Sequence, residues 1–142
     1  MDLRAYMQPP VVNETKTVYP SKRLKGADGK PAPFVIRVID QETNNKLIKQ
    51  ATEKKKANGR LVEALNSEKY GNLLIQACVV EPDLKNTELC AYYETVNPVD
   101  TINRMLSVGE YNRLVREIKL LNEIDELADD EDAEIVEEEL KN

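Results

Sequence analysis

The stretches ACVVEPDL at residues 77–84 and MLSVGEY at residues 105–111 decide the predicted fold, because each ends one helical pattern and begins the next. Before the first stretch, a core-facing helical stripe recurs at i, i+3, i+4 spacing: Tyr70, Leu73, Leu74, Ala77 and Cys78. Pro82 cannot continue that helix, because proline lacks the amide hydrogen and disfavours helical geometry in the residue before it. After the second stretch, a longer stripe predicts the last strong helix: Tyr111, Leu114, Val115, Ile118, Leu121 and Ile124.

Another helix is predicted upstream of these two. Asp40 is placed to cap it, and we expect it to run to about Lys56, with Asn58-Gly59 ending it. The short apolar run at residues 61–65 is interpreted as a connector, and the pattern does not decide its secondary structure.

The remaining helix starts are predicted from cap residues. Ser67 is the expected cap of the central helix. A short helix is expected from about Thr87, and the next begins at Asn97-Pro98, since a cap followed by proline is typical of a helix start.

The N-terminal part of the chain favours β structure. Residues 15–19 alternate Thr and Val with polar residues, and residues 34–39 form a run short enough to be a strand. Residues 26–29 between them have the composition of a turn. The expected fold class is therefore mainly α: a compact bundle of about five helices with a small N-terminal β-hairpin and an acidic, partly disordered C-terminal tail.

Charge is divided unevenly along the chain. The net charge is −6, yet residues 123–142 hold eleven acidic residues and one basic residue, which leaves 15 acidic and 19 basic residues over positions 1–122. A mildly basic body therefore precedes a strongly acidic end. We divide the chain into a flexible N-terminal arm (1–14), a single mainly helical domain with its hairpin (15–124) and an acidic tail (125–142).

Three basic clusters lie in the body, at residues 22–25, 54–56 and 113–119. A nucleic-acid-binding protein would interleave such residues with stacking aromatics or carry a known groove-binding motif, and this sequence has neither pattern. Solvated faces, or transient partners of the acidic tail, explain the clusters better. We therefore expect no nucleic-acid partner.

Residues suited to catalysis are scarce. The sequence has no histidine, the usual general base and a common metal ligand, and no serine or cysteine lies in a nucleophile motif. Cys78 falls on the apolar stripe of the central helix, where a small core residue is expected. Residues 129–132 lack the glycine turn and alternating ligands of a calcium loop, and the five glycines are scattered. We predict no enzyme, and no catalytic, cofactor-binding or metal-binding residues.

Membrane association is not expected either. No apolar run approaches the roughly 20 residues that cross a bilayer. The first ten residues lack the apolar centre of a signal peptide, so reduced cysteines are the expected state.

A family resemblance follows from the order of the motifs. SKRLK at residues 21–25, DGKP at 28–31 and FVIR at 34–37 precede the two stretches quoted first. Together they resemble the XkdN-like tail assembly chaperones of long-tailed bacteriophages, although Leu24 stands where the family usually has an aromatic residue.

The resemblance implies a binding protein in the cytoplasm of a bacterial host. Such a chaperone would bind the tape measure protein, and possibly the tail tube protein or itself. It would keep the tape measure protein soluble while the tail tube polymerises, and would be absent from the finished particle.

Candidate partner-binding residues lie on the last helix and its neighbours. A helical body can offer an apolar groove to amphipathic segments of a partner. The candidates are Tyr92, Tyr93, Tyr111, Leu114 and Ile118, and each could equally be a core or core-edge residue. Two other readings stay open: an acidic DNA mimic or other inhibitory binding protein, and a minor structural component of the particle.

Overall fold

The computed structural model describes residues 1–124, and the predicted acidic tail at 125–142 lies outside the described residues. Within residues 1–124 there are five α-helices and five β-strands, preceded by a 3₁₀ turn at Leu3–Tyr6. In chain order they are β1 Thr15–Val18, β2 Phe34–Arg37, α1 Gln41–Ala51, β3 Thr52–Ala57, β4 Arg60–Leu65, α2 Ser67–Cys78, β5 Val79–Glu81, α3 Thr87–Tyr92, α4 Pro98–Met105 and α5 Val108–Leu121. None of these helices is long and apolar enough to cross a membrane.

The prediction of a mainly α bundle is wrong. About 44% of the described residues are helical, but about 20% lie in strands that form two separate sheets. One sheet has three strands in the order β1-β2-β5, and the other is the β3-β4 hairpin. The fold is therefore α+β.

The β3-β4 hairpin accounts for most of this error. The helix expected to reach about Lys56 ends at Ala51, and the basic cluster 54–56 lies in β3. Asn58 and Gly59 both have positive φ, 52° and 77°, the conformation of a two-residue hairpin turn. The Asn-Gly pair thus reverses the chain between two strands instead of ending a helix, and the undecided residues 61–65 belong to β4.

The N-terminal strands pair as predicted, but with an additional partner. β1 and β2 are antiparallel, with Val18 opposite Phe34. A loop joins them, and Gly29 takes a positive φ of 77° in its turn. β5 follows α2 without a break and pairs antiparallel with the other edge of β2. The three residues of β5 were interpreted only as the end of the central helix.

Helix α2 lies at the centre of the core and packs against α1, α4 and α5. The largest fully buried side chains come from both the sheet and the helices: Tyr70, Phe34, Ile36, Leu74, Ile75, Ile102, Leu114 and Ile118. The core is thus largely aliphatic.

Two of the three predicted caps, Asp40 and Asn97, are confirmed, and Ser107 caps the predicted last helix. The side chains of Asp40, Asn97 and Ser107 accept hydrogen bonds from the first turns of α1, α4 and α5. Helix α2 is capped by Asn66 instead of Ser67, which is its first helical residue. Local capping chemistry therefore placed the helix starts to within one residue.

Candidate partner-binding surface

Residues from two separate motifs meet at Glu110, which is 4% exposed although it is charged. Its Oε1 accepts hydrogen bonds from Arg23 Nη2 at 2.8 Å and from the backbone N of Ser107 at 2.8 Å. Its Oε2 accepts a hydrogen bond from the buried hydroxyl of Ser21. We call Ser21, Arg23, Ser107 and Glu110 the Glu110 cluster.

The sequence builds this cluster with local devices on both sides. Ser107 and Glu110 form a capping box, in which Ser107 Oγ accepts from the Glu110 backbone N at 3.3 Å. On the other side, Ser21 Oγ accepts from the backbone N of Arg23 and of Leu24, both at 3.1 Å. Arg23 Nη2 also donates to the Met105 carbonyl at 2.7 Å. The cluster therefore ties the loop after β1 to the start of α5.

The electrostatics of the cluster favour an ionised Glu110. Burial alone would raise the pKa of this carboxyl, but hydrogen bonds from Arg23, Ser107 and Ser21 outweigh burial and lower the pKa to about 2. The hydrogen bond to Glu110 likewise raises the pKa of Arg23. At neutral pH the cluster is therefore a fixed ion pair, and it acts as a structural link.

Tyr93 lies near this cluster, and Tyr92 packs against Tyr93. Their rings meet edge to face, with centroids 4.8 Å apart, and Tyr93 contributes to the electrostatic environment of Arg23. Tyr93 is half-buried, whereas Tyr92 is 78% exposed and Val96 is 97% exposed. We call Tyr92, Tyr93 and Val96 the 92–96 corner.

Arg104 holds the backbone of this corner. Its Nη1 donates to the carbonyls of Tyr93 at 2.8 Å and Glu94 at 2.6 Å. Glu94 itself has a positive φ of 56°. The exposed side chains of the corner are thus presented on a backbone fixed by hydrogen bonds.

Tyr111 packs α5 against α2. Its hydroxyl donates to Asn72 Oδ1 at 2.8 Å, and burial raises its pKa. The ring passes over Gly71, where a Cβ atom would lie 2.9 Å from the tyrosine hydroxyl. The close approach of the two helices at this point depends on the missing side chain of Gly71.

We predict an energetic coupling between Gly71 and Tyr111. Alanine at position 71 gains helix propensity but clashes with the tyrosine hydroxyl, and the Tyr111→Phe variant lacks that atom. Gly71→Ala should therefore be more favourable in the Tyr111→Phe background than in the wild type, by about 1 kcal/mol. Urea unfolding of the two single variants and the double variant measures this difference. Equal effects in both backgrounds would contradict the packing described here.

Leu114 and Ile118, the other predicted contact residues, are core residues with 0% exposure. The structure therefore does not place the five candidates on one surface: Tyr92 and Tyr93 form part of the 92–96 corner, Tyr111 lies between helices, and the other two face inward. Helical spacing identifies an apolar stripe, but it does not show whether another element covers that stripe.

A groove that the sequence analysis missed runs between β1 and α5. Its volume is about 310 Å³, and the residues that line it are Lys16, Thr17, Val18, Tyr19, Pro20, Arg113, Arg116 and Glu117. Arg113 Nε donates to the Pro20 carbonyl at 2.9 Å, and Lys16 Nζ lies 3.3 Å from Glu117 Oε2. We call this feature the β1-α5 groove. Since the residues that join its two walls are 93 and 101 positions apart in the sequence, no local pattern could have revealed it.

Within residues 1–124, no group of three or more acidic or cysteine side chains is placed to hold a metal ion. Cys78 is fully buried, and burial raises the pKa of its thiol to about 11. Cys90 is half-buried, and its Sγ donates to the Leu84 carbonyl at 3.4 Å.

Comparison with known proteins identifies the family of this chain. A sequence model of the Phage XkdN-like tail assembly chaperone protein family matches residues 3–140. The chain belongs to this family. The resemblance seen in the order of the motifs is therefore confirmed, and the family is one of tail assembly chaperones, not a known enzyme family.

Two relatives in Bacillus subtilis (strain 168) align with this chain over nearly the whole length of both proteins. It is 32% identical to the phage-like element PBSX protein XkdN over 145 residues, which covers 99% of this chain and 94% of that one. It is 33% identical to the uncharacterized protein YqbN over 136 residues, covering 93% and 91% of the two chains.

A solved structure agrees with the α+β description. The crystal structure of the protein YqbN superposes with a TM-score of 0.68 at 27% identity, covering 88% of this chain and 98% of that one. The XkdN-like fold described here therefore spans nearly all of the YqbN chain.

Proposed function

We propose that this XkdN-like chaperone binds the tape measure protein of its own tail gene cluster and keeps it soluble in the host cytoplasm while the tail tube polymerises. It then leaves before the particle is complete. Membership of the tail assembly chaperone family supports this proposal. The observation that carries it is the 92–96 corner, where Tyr92 is 78% exposed and Val96 is 97% exposed.

The corner has the properties of a contact surface for an apolar helical partner. A tyrosine ring provides a large apolar area with a polar tip and few rotatable bonds. Arg104 fixes the backbone that carries it, so little conformational freedom remains to be lost on binding. The contact we propose is thus centred on Tyr92 and Tyr93. Leu114 and Ile118 do not contact the partner in this proposal, because they are buried in the core. Tyr111 packs α5 against α2, so these three residues contribute by holding the helices in place.

Co-expression with the tape measure protein tests the proposal. The wild-type chain should keep the tape measure protein soluble and co-purify with it. Tyr92→Ser should weaken this binding about 30-fold, since exposed tyrosines at the centre of an interface often contribute about 2 kcal/mol.

The matched control is Tyr19→Ser. Tyr19 is 60% exposed and lies in the β1-α5 groove, so it shares residue type and exposure with Tyr92 but not location. The Tyr19→Ser variant should bind the tape measure protein as the wild type does. A folded chain that leaves the tape measure protein insoluble or unbound would contradict the proposed function, and equal losses in both variants would contradict the proposed surface. Detection of the chain in finished particles by mass spectrometry would contradict its release.

A further inference from the structure

We propose that the acidic segment 125–142 folds back along α5 and occupies the β1-α5 groove of its own chain. This inference concerns a surface other than the 92–96 corner and does not rest on the proposed function. Three observations carry it: the charge of the groove, the position at which the described chain ends, and the free edge of β1.

The groove and the segment have complementary charges. The groove is lined by Lys16, Arg113 and Arg116 against the single acidic residue Glu117, which is already paired with Lys16. Arg116 has no hydrogen-bond or ion-pair partner among residues 1–124. The segment 125–142 contains ten acidic residues and one basic residue. Opposite charges of this kind attract an acidic chain without requiring a defined pairing.

The end of the described residues also lies within reach of the groove. Arg113, Arg116 and Leu120 follow one another at helical spacing on one exposed face of α5, and this face leads from the groove to the end of the helix. From Arg113 to Leu121, the last residue of α5, the distance along the helix axis is roughly 12 Å at 1.5 Å per residue. Eighteen extended residues reach up to roughly 60 Å, so the segment can turn and return along this face with residues to spare.

The groove offers more than charge to such a segment. β1 is an edge strand of the three-stranded sheet, and within residues 1–124 no strand pairs with its outer edge. Tyr19 in the groove and Leu120 farther along α5 add apolar surface, 60% and 63% exposed, for the few apolar residues of the segment, such as Ile135 and Leu140. A docked segment would cover the free edge of β1 and oppose strand pairing between copies of the chain.

A competing site exists on the β3-β4 hairpin. Lys54, Lys55 and Lys56 are exposed there and have no ion-pair partner in the described part of the chain. This hairpin is a two-stranded ribbon without a groove, and it is not on the helix from which the segment departs. The β1-α5 groove is therefore the favoured site, and the hairpin provides a matched control for charge alone.

Paramagnetic broadening in the full-length chain tests the inference. A nitroxide is attached to Glu138→Cys in a Cys90→Ser background, because Cys78 is buried and the raised pKa of its thiol, about 11, protects it from labelling at neutral pH. Amide signals of β1 and Tyr19 should broaden at low salt. The broadening should fade towards 1 M salt, as expected for an electrostatic contact.

Two variants and one control decide the outcome. Arg113→Gln/Arg116→Gln should reduce the broadening at β1 about fivefold, the effect of losing two exposed ion pairs. Arg116→Glu serves as a second variant, because this side chain has no contact to lose among residues 1–124. Lys54→Gln/Lys55→Gln should leave the broadening unchanged.

Three results would overturn the inference. The first is broadening at β1 that persists in both arginine variants. The second is broadening centred on residues 54–56. The third is broadening that appears when spin-labelled chain is mixed with isotope-labelled chain that carries no nitroxide, because the contact would then join two copies.

Discussion

A Glu110→Ala variant is expected to lose about 3 kcal/mol of its free energy of unfolding. The buried carboxylate accepts hydrogen bonds from the half-exposed Arg23 and from the Ser107 amide, each worth about 1.5–3 kcal/mol, and the capping box of α5 is lost with it. Ser21 also loses the acceptor of its buried hydroxyl. Since small domains are stable by only about 5–15 kcal/mol, the loss is a large fraction of the total, and urea unfolding measures it directly.

The control for this prediction is Glu117→Ala, on the same helix. Glu117 is paired with Lys16 in an ion pair that is partly exposed to solvent, so its removal should change the free energy of unfolding by less than about 0.5 kcal/mol. Equal effects of the two substitutions would show that the Glu110 cluster contributes no more than a surface ion pair.

The same cluster predicts a pH dependence. Because the pKa of Glu110 falls from 4.5 to about 2 on folding, its contribution is complete above pH 4.5 and is lost as the pH falls towards 2. The difference in free energy of unfolding between the wild type and Glu110→Gln should therefore shrink over this range. A difference that stays constant between pH 4.5 and 2 would argue against an ionised Glu110.

The second large effect is expected at Leu114. Leu114→Ala should lower the free energy of unfolding by about 3 kcal/mol, because the side chain is 0% exposed and its truncation leaves a cavity between α5 and the rest of the core. Leu114→Glu should not fold, since it would bury an unpaired charge. Urea unfolding and circular dichroism measure the two outcomes.

Leu120→Ala is the matched control on the same helix. Leu120 is 63% exposed, so its truncation should change the free energy of unfolding by less than about 0.5 kcal/mol. A Leu114→Glu variant that folds but no longer binds the tape measure protein would instead show that Leu114 is a contact residue, as predicted from the sequence.

The features predicted from the sequence are those set by neighbouring residues. The starts of α1, α4 and α5 follow from Asp40, Asn97 and Ser107, whose side chains bond to amides within three residues. The end of α1 was missed because the Asn-Gly pair was weighed as a helix terminator and not as a hairpin turn. The Asn58-Gly59 pair is the local signal in the sequence for the second sheet.

The site was harder to predict, because its parts are distant in sequence. Arg23 and Glu110 were both recognised as motif residues, but nothing local indicated that they pair across 87 positions. Tyr92 and Leu114 both lie on apolar helical stripes, and only the packing of the other elements leaves one exposed and buries the other. The family was recognised because the order of its motifs is itself a property of the sequence.

The Glu110 cluster also sets an order of events during synthesis. Arg23 cannot meet its partner until the ribosome has added a further 87 residues, by which time the chain has been made through the start of α5. The loop after β1 therefore lacks this anchor until the start of α5 has been made. Final placement of the loop after β1 is thereby coupled to synthesis of α5, 87 residues later in the chain.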